Sequence, residues 1–246
     1  MPSPSSRADV FLVEHGYART RAEAQEAIEA GNVFDGGRRI TKSSQRLNES
    51  AYIKYSRAHP FVSRGALKLA AALNHFELSP RGRVCVDIGA STGGFSEVLL
   101  MHGAKKIFAV DVGHGQLDPD IAKNPRVISL ERTNARDLSP KLISETPDAI
   151  VADVSFISLK LALPKALALA AADAWLIALV KPQFEAGKAH IGKGGIVRDE
   201  AIHDAVLAEI AAWLPANPGW TVTGSIPSPV KGGNGNREFL LAAHKT

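Results

Sequence analysis

Apolar residues recur at two different spacings along this chain, and the changes of spacing divide it into elements. Val10, Phe11 and Val13, with Ser5 or Ser6 as cap and Gly16 as stop, predict a first short helix. Thr20-Arg-Ala-Glu23 is a capping box that opens a second helix through Ala24, Ala27 and Ile28, ended by Gly31. Val33-Phe34, the turn Asp35-Gly36-Gly37 and Arg38-Arg39-Ile40 predict a hairpin, closed by a strand over Tyr52–Tyr55. A proline and a change of pattern then mark residues 57–60 as a linker between a small α+β domain, residues 1–56, and a larger one, residues 61–246. The small domain has a core of marginal size, better suited to presenting a surface than to housing a reaction.

In the larger part, Ser63 caps a helix over 64–76 with an apolar stripe at Leu67, Ala70 and Ala71, beside which Lys68 reads as a solvated residue. Strands are predicted at 84–88, 107–110, 126–130, 148–154, 175–181, 221–226 and 237–242. Helical spacing covers 95–102, 157–171 (tolerating Pro164) and 202–214, and the Gly- and Lys-rich stretch 185–195 reads as a mobile flap, either an RNA clamp or a plain loop. Strands alternating with helices imply an α/β fold with a mainly parallel, doubly wound, Rossmann-like sheet.

The pattern is densest between Val84 and Asp111: a strand, the turn Gly89-Ala-Ser-Thr-Gly-Gly94, a helix, and a second strand ending on an acid. Glycines let such a turn approach a ligand, and a carboxylate about 20 residues further on can accept from ribose hydroxyls. The spacing is GxxxGG rather than GxGxxG, and Asp87 precedes it, which disfavours a pyrophosphate and favours a cationic ligand such as S-adenosylmethionine. The same unit also fits a plain packing motif whose glycines serve only the turn. Ligands in these sheets bind beyond the carboxyl ends of the strands, a rule that puts Gly89, Asp111, Asn134, Asp153 and Lys181 on one rim. Asn134 would read the adenine amino edge. Asp153 and Lys181 are either neighbours over the reactive end of the cofactor or a structural salt bridge.

With 246 residues, 45% of them hydrophobic, the chain can bury a substantial core. Its one cysteine, Cys85, cannot form an internal disulfide and reads as a core residue in a reducing compartment. The segment MPSPSSRADV holds no apolar signal core, and the richest apolar run, 166–180, is short and interrupted by Asp173; a soluble, cytoplasmic protein is expected. The net charge of +4 is concentrated: Arg38, Arg39, Lys42, Arg46, Lys54, Arg57, Arg64 and Lys68 face one acid, Glu49, between residues 36 and 68. That distribution suits a polyanion partner and equally a solvated face. The histidines, His114 after the second strand included, show no metal-ligand spacing, and no metal is expected.

RADVFLVEHGYARTRAEAQEAIEAGNVFDGG resembles the alpha-L RNA-binding domain through Arg7-x-Asp9-x-x-Leu12, Thr20-Arg21-x-x-Ala24 and Ile28-x-x-Gly31-x-Val33. The resemblance implies docking on structured RNA, mostly through phosphates and shape, with Arg7, Arg19, Arg21, Arg38, Lys42 and Arg64 as contacts. From Phe61 onward, VSRGALKL, DIGASTGGFSEVLL, AVDVGHGQL, ERTNARDL, VADVSFISL, LVKPQFE and GNGNREFLL resemble the FtsJ-type ribose methyltransferases; with the N-terminal domain, the chain resembles the TlyA (haemolysin A) family. This implies a seven-stranded class I methyltransferase fold and methyl transfer from S-adenosylmethionine to a ribose 2′-hydroxyl of ribosomal RNA, free or in ribosomal subunits. Its Lys–Asp–Lys–Glu tetrad falls on Lys68, Asp153, Lys181 and Glu238. The cofactor would lie on Asp87, Gly89, Ala90, Ser91, Thr92, Gly93, Gly94, Phe95, Asp111, Asn134 and Asp153. Amine methyltransferases usually carry Asn/Asp-Pro-Pro-aromatic where this chain has Asp153-Val-Ser-Phe156. A small-molecule enzyme would not need the basic module, a non-catalytic ribosome-assembly protein would not need the tetrad, and a pore-forming haemolysin would need a membrane segment.

Overall fold

Strands of a parallel sheet covered on both faces must be apolar along their whole length, and that demand explains the centre of the molecule. The computed structural model describes residues 5–246, and the chain divides between Pro60 and Phe61 into two units. In the second unit seven strands form one sheet: β1 (Val84–Ile88), β2 (Lys106–Val110), β3 (Val127–Leu130), β4 (Ala149–Ala152), β5 (Trp175–Val180), β6 (Trp220–Pro227) and β7 (Phe239–Lys245). Their order is β6-β7-β5-β4-β1-β2-β3. β1 to β5 run parallel, and β7 is antiparallel to both neighbours, β5 and β6. This is the Rossmann-like architecture expected.

Side chains alternate across the sheet. Val84, Val86, Ile88, Phe108, Val110, Ile150 and Ala152 form one core. Cys85, Ile107, Ala109, Ala149 and Val151 form the other, under the helices Gly65–His75 and Gly94–Met101. Cys85 is fully buried there, and burial pushes its thiol pKa up. Edge strand β6 alternates exposed and half-buried residues instead, as a strand with one wet face should.

Three local expectations for the second unit change. The predicted helix over 157–171 is two short helices, Leu159–Ala162 and Pro164–Leu169. Pro164 has no N–H to donate and its ring would strike the preceding turn, so it starts a new helix rather than continuing the old one. The helix Gly65–His75 buries Ala66, Lys68, Leu69, Ala72 and Leu73, not the stripe Leu67, Ala70 and Ala71, and Arg64 rather than Ser63 is its cap. The flap is anchored at its base: Asn236 accepts from Val197 N at 3.1 Å and donates to Gly195 O at 2.9 Å, and His203 Nε2 lies 3.0 Å from Val197 O.

The first unit packs Phe11, Leu12, Ala24, Ile28, Val33, Ile40 and Leu47 into a small core. Its second helix, Arg21–Glu29, begins as the capping box requires, with Thr20 Oγ1 accepting from Glu23 N at 3.2 Å. Its first helix, Ala8–Glu14, has no serine cap: Ser5–Arg7 pairs with Arg46–Asn48 as a strand, and Asp9 accepts from Val10 N at 3.1 Å. The expected hairpin and closing strand form a three-stranded sheet, Val33–Asp35 flanked by Arg38–Arg39 and Ile53–Tyr55. The linker stretch packs on this unit, with Arg57 O accepting from Asn32 Nδ2 at 2.9 Å and His59 Nε2 lying 3.1 Å from Glu26.

Candidate active site

Strand order decides where a ligand can sit. β1 pairs with β2 on one side and with β4 on the other, so the loops that leave β1 and β4 diverge and open a crevice. Gly89 ends β1 there at φ +81°, and a Cβ at this position would lie 2.4 Å from the carbonyl oxygen of Asp153. Only glycine lets these two loops touch. The crevice is a cleft of about 440 Å³ whose walls include Gly89, Ser91, Asp111, Asn134, Asp153 and Phe156. None of its lining residues is Lys, Arg or His. A cleft with acidic acceptors and no basic residue suits a ligand rich in donors and positive charge, not a pyrophosphate.

Asp111 sits after β2 with both carboxylate oxygens held by backbone: Oδ1 accepts from Gly113 N at 2.7 Å and Oδ2 from Ser91 N at 2.8 Å. Its remaining lone pairs stay available as acceptors. Asn134 caps the turn Ala135–Asp137, its Oδ1 accepting from Arg136 N at 3.0 Å and Arg136 Nε at 3.2 Å. With the oxygen so engaged, Asn134 offers its amide NH₂ as a donor, not the acceptor that the expected reading of an adenine amino edge would need.

The rest of the glycine turn lies behind the cleft. Gly93 makes room for Leu117 and Ile121, Gly94 for Ser63 and Ala66, and Phe95 belongs to the core beneath. Ala90 is buried and Thr92 half-buried. Asp87 is also fully buried; its Oδ2 accepts from Ser96 Oγ at 2.7 Å and its Oδ1 has no hydrogen-bond partner. Burial above all, with the Asp153 and Asp111 charges adding to it, pushes its pKa up to about 7. The folded state therefore binds this proton more tightly than the unfolded chain does, so the contribution of Asp87 to stability declines as pH rises from the ordinary value of 3.8 to about 7. In urea unfolding across pH 4–8, wild-type protein should lose up to about 1.4 kcal/mol per pH unit relative to Asp87→Asn. Parallel profiles would show that Asp87 ionises normally.

The tetrad residues come from four elements and meet in two ion pairs. Lys68 Nζ donates to Glu238 Oε2 at 2.6 Å, with both residues buried. Lys181 Nζ lies 2.5 Å from Asp153 Oδ1 and 3.0 Å from Ser155 Oγ. Val180 of β5 pairs antiparallel with Phe239 of β7, so Lys181, just after β5, and Glu238, just before β7, come from adjacent strand ends. Gly65, one turn before Lys68, stands against the Asp153 carboxylate, 3.7 Å from where its Cβ would be. Gly232 leaves the space that the Glu238 carboxylate fills.

Sequence reasoning passed over Phe156. Its ring is 91% exposed at the cleft wall, its φ is +65°, and its centroid lies 5.1 Å from that of Phe184. An exposed aromatic on a strained backbone is costly unless it is used. The Asp153-Val-Ser-Phe156 spacing was the available signal, an aromatic where amine methyltransferases carry theirs. Glu185 ties the two loops together, accepting from Ser158 Oγ at 2.6 Å and Leu159 N at 2.8 Å.

Of the residues expected to contact RNA, Arg7, Arg19 and Arg21 are ion-paired within the first unit, Arg38 and Lys42 are exposed on it, and Arg64 is exposed in the second unit. Among the described residues no group of three or more His, Cys, Asp or Glu could hold a metal, and no helix is long and apolar enough to cross a membrane.

Comparison with known proteins gives this site a context. The family model for FtsJ-like methyltransferases matches residues 61–245, and that for the S4 domain matches residues 6–51. The chain is 43% identical over 238 residues to the 16S/23S rRNA (cytidine-2′-O)-methyltransferase TlyA of Mycobacterium tuberculosis, covering 96% of this chain and 88% of that protein. It is 38% identical to Hemolysin A of Brachyspira hyodysenteriae, over 95% of this chain and 98% of the relative. A solved structure of a candidate hemolysin from Streptococcus thermophilus superposes with a TM-score of 0.79 at 41% identity, covering 99% of this chain and 89% of the other.

Proposed function

We propose that this chain, which belongs to the FtsJ-like methyltransferase family in its TlyA (hemolysin A) branch and carries an S4 domain, methylates a ribose 2′-hydroxyl of ribosomal RNA from S-adenosylmethionine. The observation that carries the reading is Asp153, which lines a cleft free of basic residues and is ion-paired to Lys181.

When bound, S-adenosylmethionine supplies a methyl group already activated by its sulfonium. The bare backbone at Gly89 would let it approach the strand ends, Asp111 would accept from its ribose hydroxyls, and Asn134 would donate to its adenine. The Asp153–Lys181 pair would orient the incoming 2′-hydroxyl, and Lys181, as the neutral amine left when its ion-pair proton passes to Asp153, would take up the hydroxyl proton. Alignment of this kind is worth about 7–11 kcal/mol and a positioned base about 10²–10⁴-fold. Lys68 and Glu238 neutralise each other beside that pair and hold the Gly65–His75 helix against β7. The S4 domain docks on the ribosomal RNA of a subunit or its precursor, in the cytoplasm.

Phe156 receives the base of the target nucleotide by stacking, after the nucleotide leaves its own stack. Phe156→Ala should weaken RNA binding by about 1–3 kcal/mol with S-adenosylmethionine affinity unchanged, and Phe156→Tyr should restore it. Filter binding and calorimetry read the two affinities; equal RNA affinity in all three proteins would remove the platform.

The enzyme reading is tested by incubating purified protein with methyl-labelled S-adenosylmethionine and ribosomal subunits. RNase-sensitive, alkali-resistant label at one nucleotide is expected. Label in protein or in small molecules would overturn it.

A further inference from the structure

Two carboxylates in the S4 unit hold four arginines between them. Asp9 has no solvent exposure, yet its Oδ1 accepts from Arg7 Nε at 2.9 Å and its Oδ2 from Arg7 Nη2 at 3.1 Å, a bidentate fork. The same Oδ2 accepts from Arg21 Nη2 at 3.0 Å and Gln25 Nε2 at 2.8 Å. These partners, Arg7 first, hold the Asp9 carboxyl well below the usual carboxylate range. Glu23, on the same helix as Arg21, repeats the arrangement. Its Oε2 accepts from Arg19 N at 3.2 Å and Arg19 Nε at 3.3 Å, and its Oε1 lies 2.8 Å from Arg57 Nε and accepts from the Tyr55 hydroxyl at 3.2 Å.

The carboxylates are inside and the guanidiniums are not. Asp9 and Glu23 side chains are 0% and 14% exposed, whereas those of Arg7, Arg19, Arg21 and Arg57 range from 38% to 59%. If the unit served only to attract phosphates, these acids would be counterproductive, since each cancels positive charge beside the surface. What they add is order. A free arginine loses rotamer entropy when it binds; one held by a buried carboxylate has lost it on folding, and its outward N–H groups keep a fixed spacing.

Resting on the RNA-substrate reading above, we infer that Asp9 and Glu23 are positioning residues. They set Arg7, Arg21, Arg19 and Arg57 as a fixed array of donors for the phosphates of a folded RNA. The four arginines discriminate shape, at the expense of net attraction.

Electrostatics alone and preorganisation predict opposite signs for one substitution. Full-length wild type, Asp9→Asn and Glu23→Gln are compared for binding to a folded ribosomal RNA fragment and to single-stranded poly(U), over a range of salt. Each variant raises the net charge by one, so attraction alone would tighten both complexes. Preorganisation requires folded-RNA binding to weaken at least about fivefold while poly(U) binding holds or tightens, so that the preference for folded RNA falls. Thermal unfolding accompanies each variant; should Asp9→Asn unfold the unit, half-exposed partners leave Glu23→Gln to decide. Variants that keep the wild-type preference, or bind folded RNA more tightly, overturn the inference alone. A wild type with no preference for folded RNA overturns the RNA reading together with it.

Discussion

Lys181→Ala is expected to slow methyl transfer to ribosomal RNA by about 10²–10⁴-fold, with S-adenosylmethionine binding intact. The ammonium sits against Asp153 and Ser155, at the end of β5 and outside the cleft walls, so its removal takes nothing from the cofactor. On the proposed mechanism it takes away the group that orients the hydroxyl and that, as the neutral amine left once its ion-pair proton has passed to Asp153, receives the hydroxyl proton. Stability should fall by less than the roughly 3–5 kcal/mol of a fully buried pair, because the Asp153 side chain keeps 21% exposure although the Oδ1 that faces Lys181 is buried. Lys181→Arg separates the two duties. Arginine keeps the charge but cannot take up a proton, so recovered transfer in that variant would assign Lys181 an electrostatic role alone. Single-turnover rates with labelled cofactor, beside calorimetric cofactor binding, make the measurement. A rate within experimental scatter of wild type in the alanine variant would remove Lys181 from the chemistry.

The second large effect concerns the buried pair. Lys68 and Glu238 are 7% and 4% exposed and meet at 2.6 Å, so neither charge can be rehydrated when its partner is lost. Lys68→Met alone should therefore cost about 3–5 kcal/mol of stability, and Glu238→Leu about the same. The double variant, which replaces both charges by apolar groups of similar volume, should regain most of that loss, since it leaves nothing buried and unpaired. Urea unfolding of the four proteins gives the coupling directly. The informative quantity is then the activity of the refolded double variant. If the pair serves catalysis, transfer remains at least about 10²-fold down in a protein of near-normal stability. Restored activity would make Lys68–Glu238 a structural salt bridge and nothing more.

Much of the fold was legible locally. The strand ends at 84–88, the turn at Gly89 and the capping box at Thr20–Glu23 depend on residues a few positions apart, and they appear in the structure where periodicity and turn chemistry put them. The parallel sheet followed from unbroken apolar runs, which only a strand buried on both faces requires. Pro164 was underrated as a helix breaker because the apolar spacing runs straight across it, and spacing carries no information about a missing N–H.

The cleft side of the candidate site was legible because one rule, that ligands sit at the carboxyl ends of parallel strands, converts sequence position into place. It brought Gly89, Asp111, Asn134 and Asp153 to the same cleft. What stayed out of reach were the environments. Lys68 looked like any solvated lysine on a helix, and its burial is decided by Glu238, 170 residues away. Asp87 looked like a charge aimed at a ligand; the two helices packed over β1 bury it and raise its pKa. The arginines of the S4 unit looked like free cations until Asp9 and Glu23 were seen inside them.

Sequence alone determined most of the elements, their order and the chemistry available, because backbone preference and apolar period act over a turn or two. Tertiary structure alone decided which charges lost their water and which partners they found. Desolvation and Coulomb energy depend on distances that the chain sets only when strands from its middle and its end lie side by side.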